Sequence, residues 1–151
     1  MMTMRLIDRS LTIPARFDQL QRAGAFVSEI AAAAGFQGLQ LNRIELAVDE
    51  ACSNIIEHAY AQKPGGEIHI HVHVEPGYRI VITLIDTGEP FDPDAVLPHD
   101  PESDLDELQA GGLGLFLMRR AMDNVQFEFN VKGVGLGQPK RFNRLTMVKY
   151  L

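Results

Sequence analysis

Apolar residues recur at helical spacing through two long segments and alternate with polar residues through the strands that follow. Over residues 15–34, Phe17, Leu20, Ala23, Phe26, Val27, Ile30 and Ala34 are separated by the steps that place side chains on one helix face. Pro14 ahead of this segment and Gly35 behind it supply the expected start and stop. A second helix is predicted over 41–60, with Leu41, Ile44, Val48, Ala51, Cys52, Ile55 and Ala59 as its apolar stripe. Lys63-Pro64-Gly65-Gly66 reads as a turn. Two strands are then predicted over 67–75 and 78–86, joined at Pro76-Gly77 as a hairpin. The first eleven residues predict a short edge strand.

The pattern breaks over 89–111, where four prolines (Pro90, Pro93, Pro98, Pro101) and eight acidic residues leave no periodicity. A loop of that length inside a compact domain acts as a lid or binding loop, or is disordered. A short helix over 115–122 and two strands over 125–131 and 143–150 close the chain, the strands separated by a glycine-rich turn at 133–137. The order βααββ, lid, αββ predicts a two-layer α/β sandwich, its mixed, mostly antiparallel sheet covered on one face by helices.

Composition adds bounds. A length of 151 residues, 46% hydrophobic and 23% charged, suits a single globular domain over 1–151. The net charge of -6 disfavours non-specific binding to nucleic acid or anionic membrane. Cys52 is the only cysteine, so no intramolecular disulfide can form. Arg5, Asp8 and Arg9 interrupt any apolar run at the start, and no later run approaches a membrane span. A soluble, cytoplasmic protein is expected.

Three local patterns carry candidate chemistry. Glu50, Asn54 and the pair Glu57/His58 fall one turn apart on the second helix, away from its apolar stripe. A carboxylate and a carboxamide so placed can position a water and a hard cation such as Mg²⁺, though the same residues also suit a plain solvated face. Asp86-Thr87-Gly88 ends an apolar strand, putting a carboxylate acceptor at a pocket mouth or serving only as a strand-to-turn punctuation. Gly111-Gly112-Leu113-Gly114-Leu115 stands at a helix start. Its backbone N–H groups suit a phosphate, and its glycines equally suit a hinge.

Taken in order, these patterns resemble the GHKL (Bergerat) ATPase superfamily, which includes the ATP-binding domains of gyrase and of histidine kinases. They are most similar to the anti-sigma-factor serine kinases. The run from Glu50 to Tyr60, EACSNIIEHAY, resembles the first motif of that branch; the run from Asp86 to Pro93, DTGEPFDP, the second; and the run from Gly111 to Asp123, GGLGLFLMRRAMD, the third. Leu145 to Tyr150, LTMVKY, resembles its closing segment. Pro90 stands where the wider superfamily carries another glycine, as the anti-sigma branch tends to show.

The resemblance implies ATP and Mg²⁺ as cofactors. Asn54 would coordinate Mg²⁺, Glu50 would act as general base toward a serine hydroxyl, and Asp86 would accept a hydrogen bond from the adenine amine. Gly88 would allow close approach, Gly112 and Gly114 would offer amides to the phosphates, and Thr146 would join Asp86 at the adenine. The segment 89–111 has no Lys or Arg, so phosphate charge would be met by Mg²⁺, backbone amides, or Arg119 and Arg120. The implied partners are an anti-sigma-factor antagonist of STAS type and an RNA polymerase sigma factor, with a homodimer as the expected assembly. The alternative is a non-catalytic, ATP-dependent binding regulator of the same fold. A histidine kinase is disfavoured, because the chain leaves no room for a dimerising hairpin with a phospho-accepting histidine and His58 lies inside the nucleotide helix.

His69, His71 and His73 alternate with Ile68, Ile70, Val72 and Val74, which places the imidazoles together on the sheet face away from the helices. Cys52, Phe116, Leu117, Met122 and Phe127 are expected in the core, and Arg119-Arg120 either as a solvated pair or as a phosphate clamp.

Overall fold

The computed structural model describes residues 6–93 and 113–151. Strand β1 (Ile7–Pro14) is followed by helices α1 (Leu20–Ala33) and α2 (Gly38–Asn54), then by strands β2 (Glu67–Glu75) and β3 (Arg79–Asp86). Helix α3 (Leu113–Ala121) and strands β4 (Asn124–Lys132) and β5 (Arg141–Tyr150) complete the order. Most of the segment 89–111, expected as a lid, lies outside the described residues.

The sheet runs β1-β2-β3-β5-β4, and every pairing in it is antiparallel. The expected mixed character is therefore absent among the described strands, for a topological reason. β3 and β4 point the same way, but β5 inserts between them and turns both contacts antiparallel.

Alternation builds the core. In β2 the even positions Ile68, Ile70, Val72 and Val74 are 0–1% exposed, and Ile80, Ile82 and Leu84 of β3 continue the same face. Against it pack Ala23, Val27 and Ala31 of α1, Ile44, Val48, Ala51 and Cys52 of α2, and Leu115 and Met118 of α3. Each fully buried Ile, Leu, Val or Met contributes roughly 1.5–3 kcal/mol relative to exposure. This face fixes where α2 must lie, and so where its polar ridge points.

The main boundary differences from the sequence expectation concern Pro14, the start of α1 and the end of α2. Pro14 ends the edge strand opposite Glu67 rather than opening a helix; at an edge its missing N–H leaves no interior ladder bond unmade. The α-helix starts later, at Leu20, after a short turn over Phe17–Gln19. Helix α2 changes pitch after Asn54, and Ile55–Ala59 form a π-helical turn. This wider turn puts Ile55, Ile56 and Ala59 in the core together.

The histidines lie on the open face as expected. His69 Nδ1 is 2.7 Å from Thr12 Oγ1, while His71 Nε2 and His73 Nδ1 lie 3.1 and 2.9 Å from Asp8 Oδ1. The far end of α3 is fastened to β5. The buried ammonium of Lys149 donates to the Ala121 carbonyl at 2.9 Å, Asp123 N–H donates to the Val148 carbonyl at 2.9 Å, and Asp123 accepts from the Tyr150 N–H at 2.7 Å. No described helix is long and apolar enough to cross a membrane.

Candidate functional site

Asp86 closes β3 on the helix side of the sheet and is 4% exposed. Its Oδ1 accepts the Gly88 N–H at 2.9 Å and the Asn143 amide at 2.8 Å. Burial raises the Asp86 carboxyl above its ordinary range, and those two donors oppose the rise without cancelling it. Oδ2 makes no hydrogen bond with the described residues.

Gly88 is dictated by backbone. A side chain there would meet the Ala59 carbonyl, whose carbon lies 2.6 Å from the position of an added Cβ. The same carbonyl accepts the Glu89 N–H at 2.7 Å. Here the glycine admits the π turn of the protein's own chain. Tyr60, at the end of that turn, completes the support: its hydroxyl donates to the Glu67 carbonyl at 2.7 Å and accepts the Thr87 N–H at 2.9 Å. The turn that carries Asp86 is thus tied to the helix that carries Glu50 and Asn54.

Glu50 and Asn54 are partly exposed on α2. The Glu50 carboxyl is raised above its usual range, first by burial and then by repulsion from Asp49 and Glu57. Gly114, in the first turn of α3, packs directly on it: a Cβ at Gly114 would collide with Glu50 Oε2. The start of α3 therefore meets the carboxylate of α2. Gly112 lies outside the described residues.

Asn54 and Asp86 line a small cavity of about 10 Å³ together with Ala51, Ile55, Phe91, Phe127, Phe129 and Asn143. That is space for about one water. Its outer wall is aromatic. Phe91 meets Phe129 edge-on at 5.3 Å between centroids, Phe127 and Phe129 stack at 5.9 Å, and His58 lies 5.3 Å from Phe91. Behind that wall opens a groove of about 740 Å³, which Arg119 also lines. Phe127 is therefore half-buried wall rather than core, and Phe116 and Leu117 are likewise half-buried, whereas Met122 is buried as expected. Arg120 stacks over Phe116 at 5.6 Å. Both arginines stand in the last turn of α3, about one and a half turns from Gly114.

Thr146 is not in this site. It pairs with Thr83 in β5, and the alternation of the strand sends it to the open face, opposite Asp86. The neighbour of Asp86 across the ladder is Asn143, which is 4% exposed and was not among the sequence candidates. Period two alone would have found it: Asn143 shares parity with the apolar Leu145 and Met147, and Thr146 shares parity with Arg144.

Known proteins resemble this chain in both sequence and fold. The histidine kinase-like ATPase domain family matches residues 13–136. The serine-protein kinase RsbW of Bacillus subtilis is 31% identical over 88% of this chain and 84% of its own length. That of Halalkalibacterium halodurans is 34% identical over 89% and 83%. Among solved structures, the crystal structure of the SiaB-SiaC complex from Pseudomonas aeruginosa aligns at a TM-score of 0.61 and 12% identity, over 95% of this chain and 89% of the other. The mycobacterial sensor histidine kinase MprB aligns at 0.52 and 9%, over 93% and 97%. These last two share the fold. The chain belongs to the histidine kinase-like ATPase domain family, alongside the serine-protein kinases RsbW.

Proposed function

We propose that this chain is an ATP-dependent serine-protein kinase that phosphorylates a small antagonist protein and, as an anti-sigma factor, sequesters a sigma factor. The observation that carries the reading is the meeting of Glu50 with Gly114 at the start of α3, in the helix layer that covers the sheet face on which Asp86 is buried. The kinase names of the RsbW relatives support it. A STAS-type antagonist, a homodimer and a cytoplasmic location complete the proposal.

Asp86 Oδ2 is the acceptor that the adenine amine would use. The ring needs more room than the cavity holds, so Phe91 and Phe129 would swing outward on binding; their edge contacts are worth only about 0.5–1.5 kcal/mol each beyond burial. Gly112 and Gly114 would turn backbone N–H groups toward the phosphates, where the helix dipole favours an anion.

Asn54 would hold Mg²⁺ through its amide oxygen, a hard donor of the kind that ion takes. Mg²⁺ typically takes one or two protein oxygens and completes its shell with phosphates and water. When bound, it neutralises phosphate charge and orients the γ-phosphoryl group. In the transfer, the serine oxygen bonds to the γ-phosphorus while the bond from that phosphorus to the β,γ-bridging oxygen breaks. ADP leaves, and Glu50 takes the serine proton.

The test is a single-turnover assay with labelled ATP and candidate antagonist proteins. Label on an antagonist serine supports the kinase. Tight Mg-ATP binding with no transfer to any of them would favour a binding regulator of the same fold.

A further inference from the structure

Asn143 stands at the junction of three elements. Its Oδ1 accepts the Asn130 N–H at 3.2 Å, so its amide nitrogen must face the other way. That nitrogen donates both to Asp86 Oδ1 at 2.8 Å and to the Gly88 carbonyl at 3.0 Å. Asn130 can aim its N–H at Asn143 because it sits in the left-handed region, at φ 53°, within the irregularity of β4 between Glu128 and Val131. A bulge of this kind re-aims a backbone group. The sequence of causes runs from a kink in β4, through the amide of β5, to the carboxylate of β3.

This arrangement leaves Asp86 with one oxygen uncommitted among the described residues. Oδ1 is saturated by two donors, while Oδ2 has no partner among the described residues. An ionised carboxylate oxygen can only accept. It pairs with a base that presents an N–H amine and repels one that presents a carbonyl.

We infer that Asn143 is a specificity-determining positioning residue, which holds Asp86 ionised and turned so that Oδ2 selects a 6-amino purine over a 6-oxo purine. The inference rests on the proposed reading of this cavity as a nucleotide site. Without the Asn143 amide, a carboxyl this deeply buried loses a donor to its charged form, and its neutral form becomes both donor and acceptor. Such a group accommodates either base. Discrimination falls even where binding survives.

The experiment measures equilibrium binding of Mg-ATP and Mg-ITP to the full chain, wild type and variants. ITP differs at the critical position, with a carbonyl in place of the amine. Wild type should prefer ATP by at least tenfold. Asn143→Ala should lower that ratio about tenfold, the equivalent of 1.4 kcal/mol. The isosteric Asn143→Asp, which keeps the shape but puts an acceptor where the donor was, should lower it at least as far. Because the ratio is taken on the folded fraction, partial unfolding of a variant does not mimic the effect. Saturated turnover with ATP should change much less than affinity. Equal loss of ATP and ITP in both variants would make Asn143 merely structural and overturn the inference, while leaving the nucleotide reading intact. A wild type that binds neither nucleotide overturns both.

Discussion

Replacing Gly114 by alanine adds one methyl group, and the structure says where it goes. The new Cβ would overlap Glu50 Oε2 and lie 3.1 Å from Glu50 Cδ. The backbone N–H of residue 114 is unchanged, so whatever it offers a phosphate is kept. Two effects then compete. Alanine is better than glycine inside a helix by about 0.8–1.0 kcal/mol, though less than that in a first turn. Against this, the Glu50 carboxylate must retreat, which is cheap because it is the far end of a flexible side chain. Stability should therefore change by less than about 1 kcal/mol, or roughly 2–4 °C in Tm for a domain of this size. Catalysis has no such cushion: a misplacement of about 1 Å in a reacting group can lower a rate by 10²-fold. The expected outcome is near-normal Mg-ATP binding and melting, with single-turnover transfer to the antagonist reduced about 10²-fold. A variant that transfers at the wild-type rate would refute the role given to this contact. A drop of 10 °C in Tm would show instead that the contact governs packing.

Other perturbations separate the remaining roles. Glu50→Gln should keep ATP and lose about 10²–10⁴-fold in transfer; in the wild type, transfer should rise with pH through a midpoint above the ordinary glutamate value, since the raised carboxyl must lose its proton before it can accept another. Asp86→Asn should abolish the Mg-ATP-induced rise in Tm, which for wild type at one hundred times Kd is about 2.7 kcal/mol. The nucleotide-free Asp86→Asn variant should be no less stable at neutral pH. A folded pKa raised above the unfolded value means that the native carboxyl favours its proton, so the stability it contributes is present below the unfolded pKa and is lost as pH rises through the folded one. Tyr60→Phe removes an acceptor from Thr87 N–H and a donor to the Glu67 carbonyl. A fall of about 1 kcal/mol per bond and a weaker Mg-ATP affinity should appear together in melts with and without nucleotide.

What could be read from the sequence was what depends on neighbours along the chain. The polar ridge of α2, the strand ending in Asp86 and the glycines ahead of α3 are local patterns, and β2 was bounded to the residue by its alternation. Tyr60 and Asn143 were missed because their roles depend on register. Nothing near Tyr60 in sequence reveals that Thr87 will lie against its hydroxyl, and only the pairing of β3 with β5 sets Asn143 beside Asp86. Thr146 was assigned by similarity of the closing segment and rejected by parity. The π turn escaped because Ile55 and Ala59 continue an ordinary helical stripe up to the point where the pitch changes.

The fastening of α3 to β5 makes the helix a lever. Lys149 and Asp123 hold its C-terminal foot on the sheet, while its tip rests on the Glu50 side chain. With 9 residues at 1.5 Å rise, the arm is about 13 Å long. A tilt of about 5° about the foot carries the tip through roughly 1 Å, the scale on which a reacting group falls in or out of alignment. A small swing at the tip would then shift the Glu50 carboxylate while the foot stays fastened to the last strand, its extent limited by Leu115 and Met118, which pack into the core.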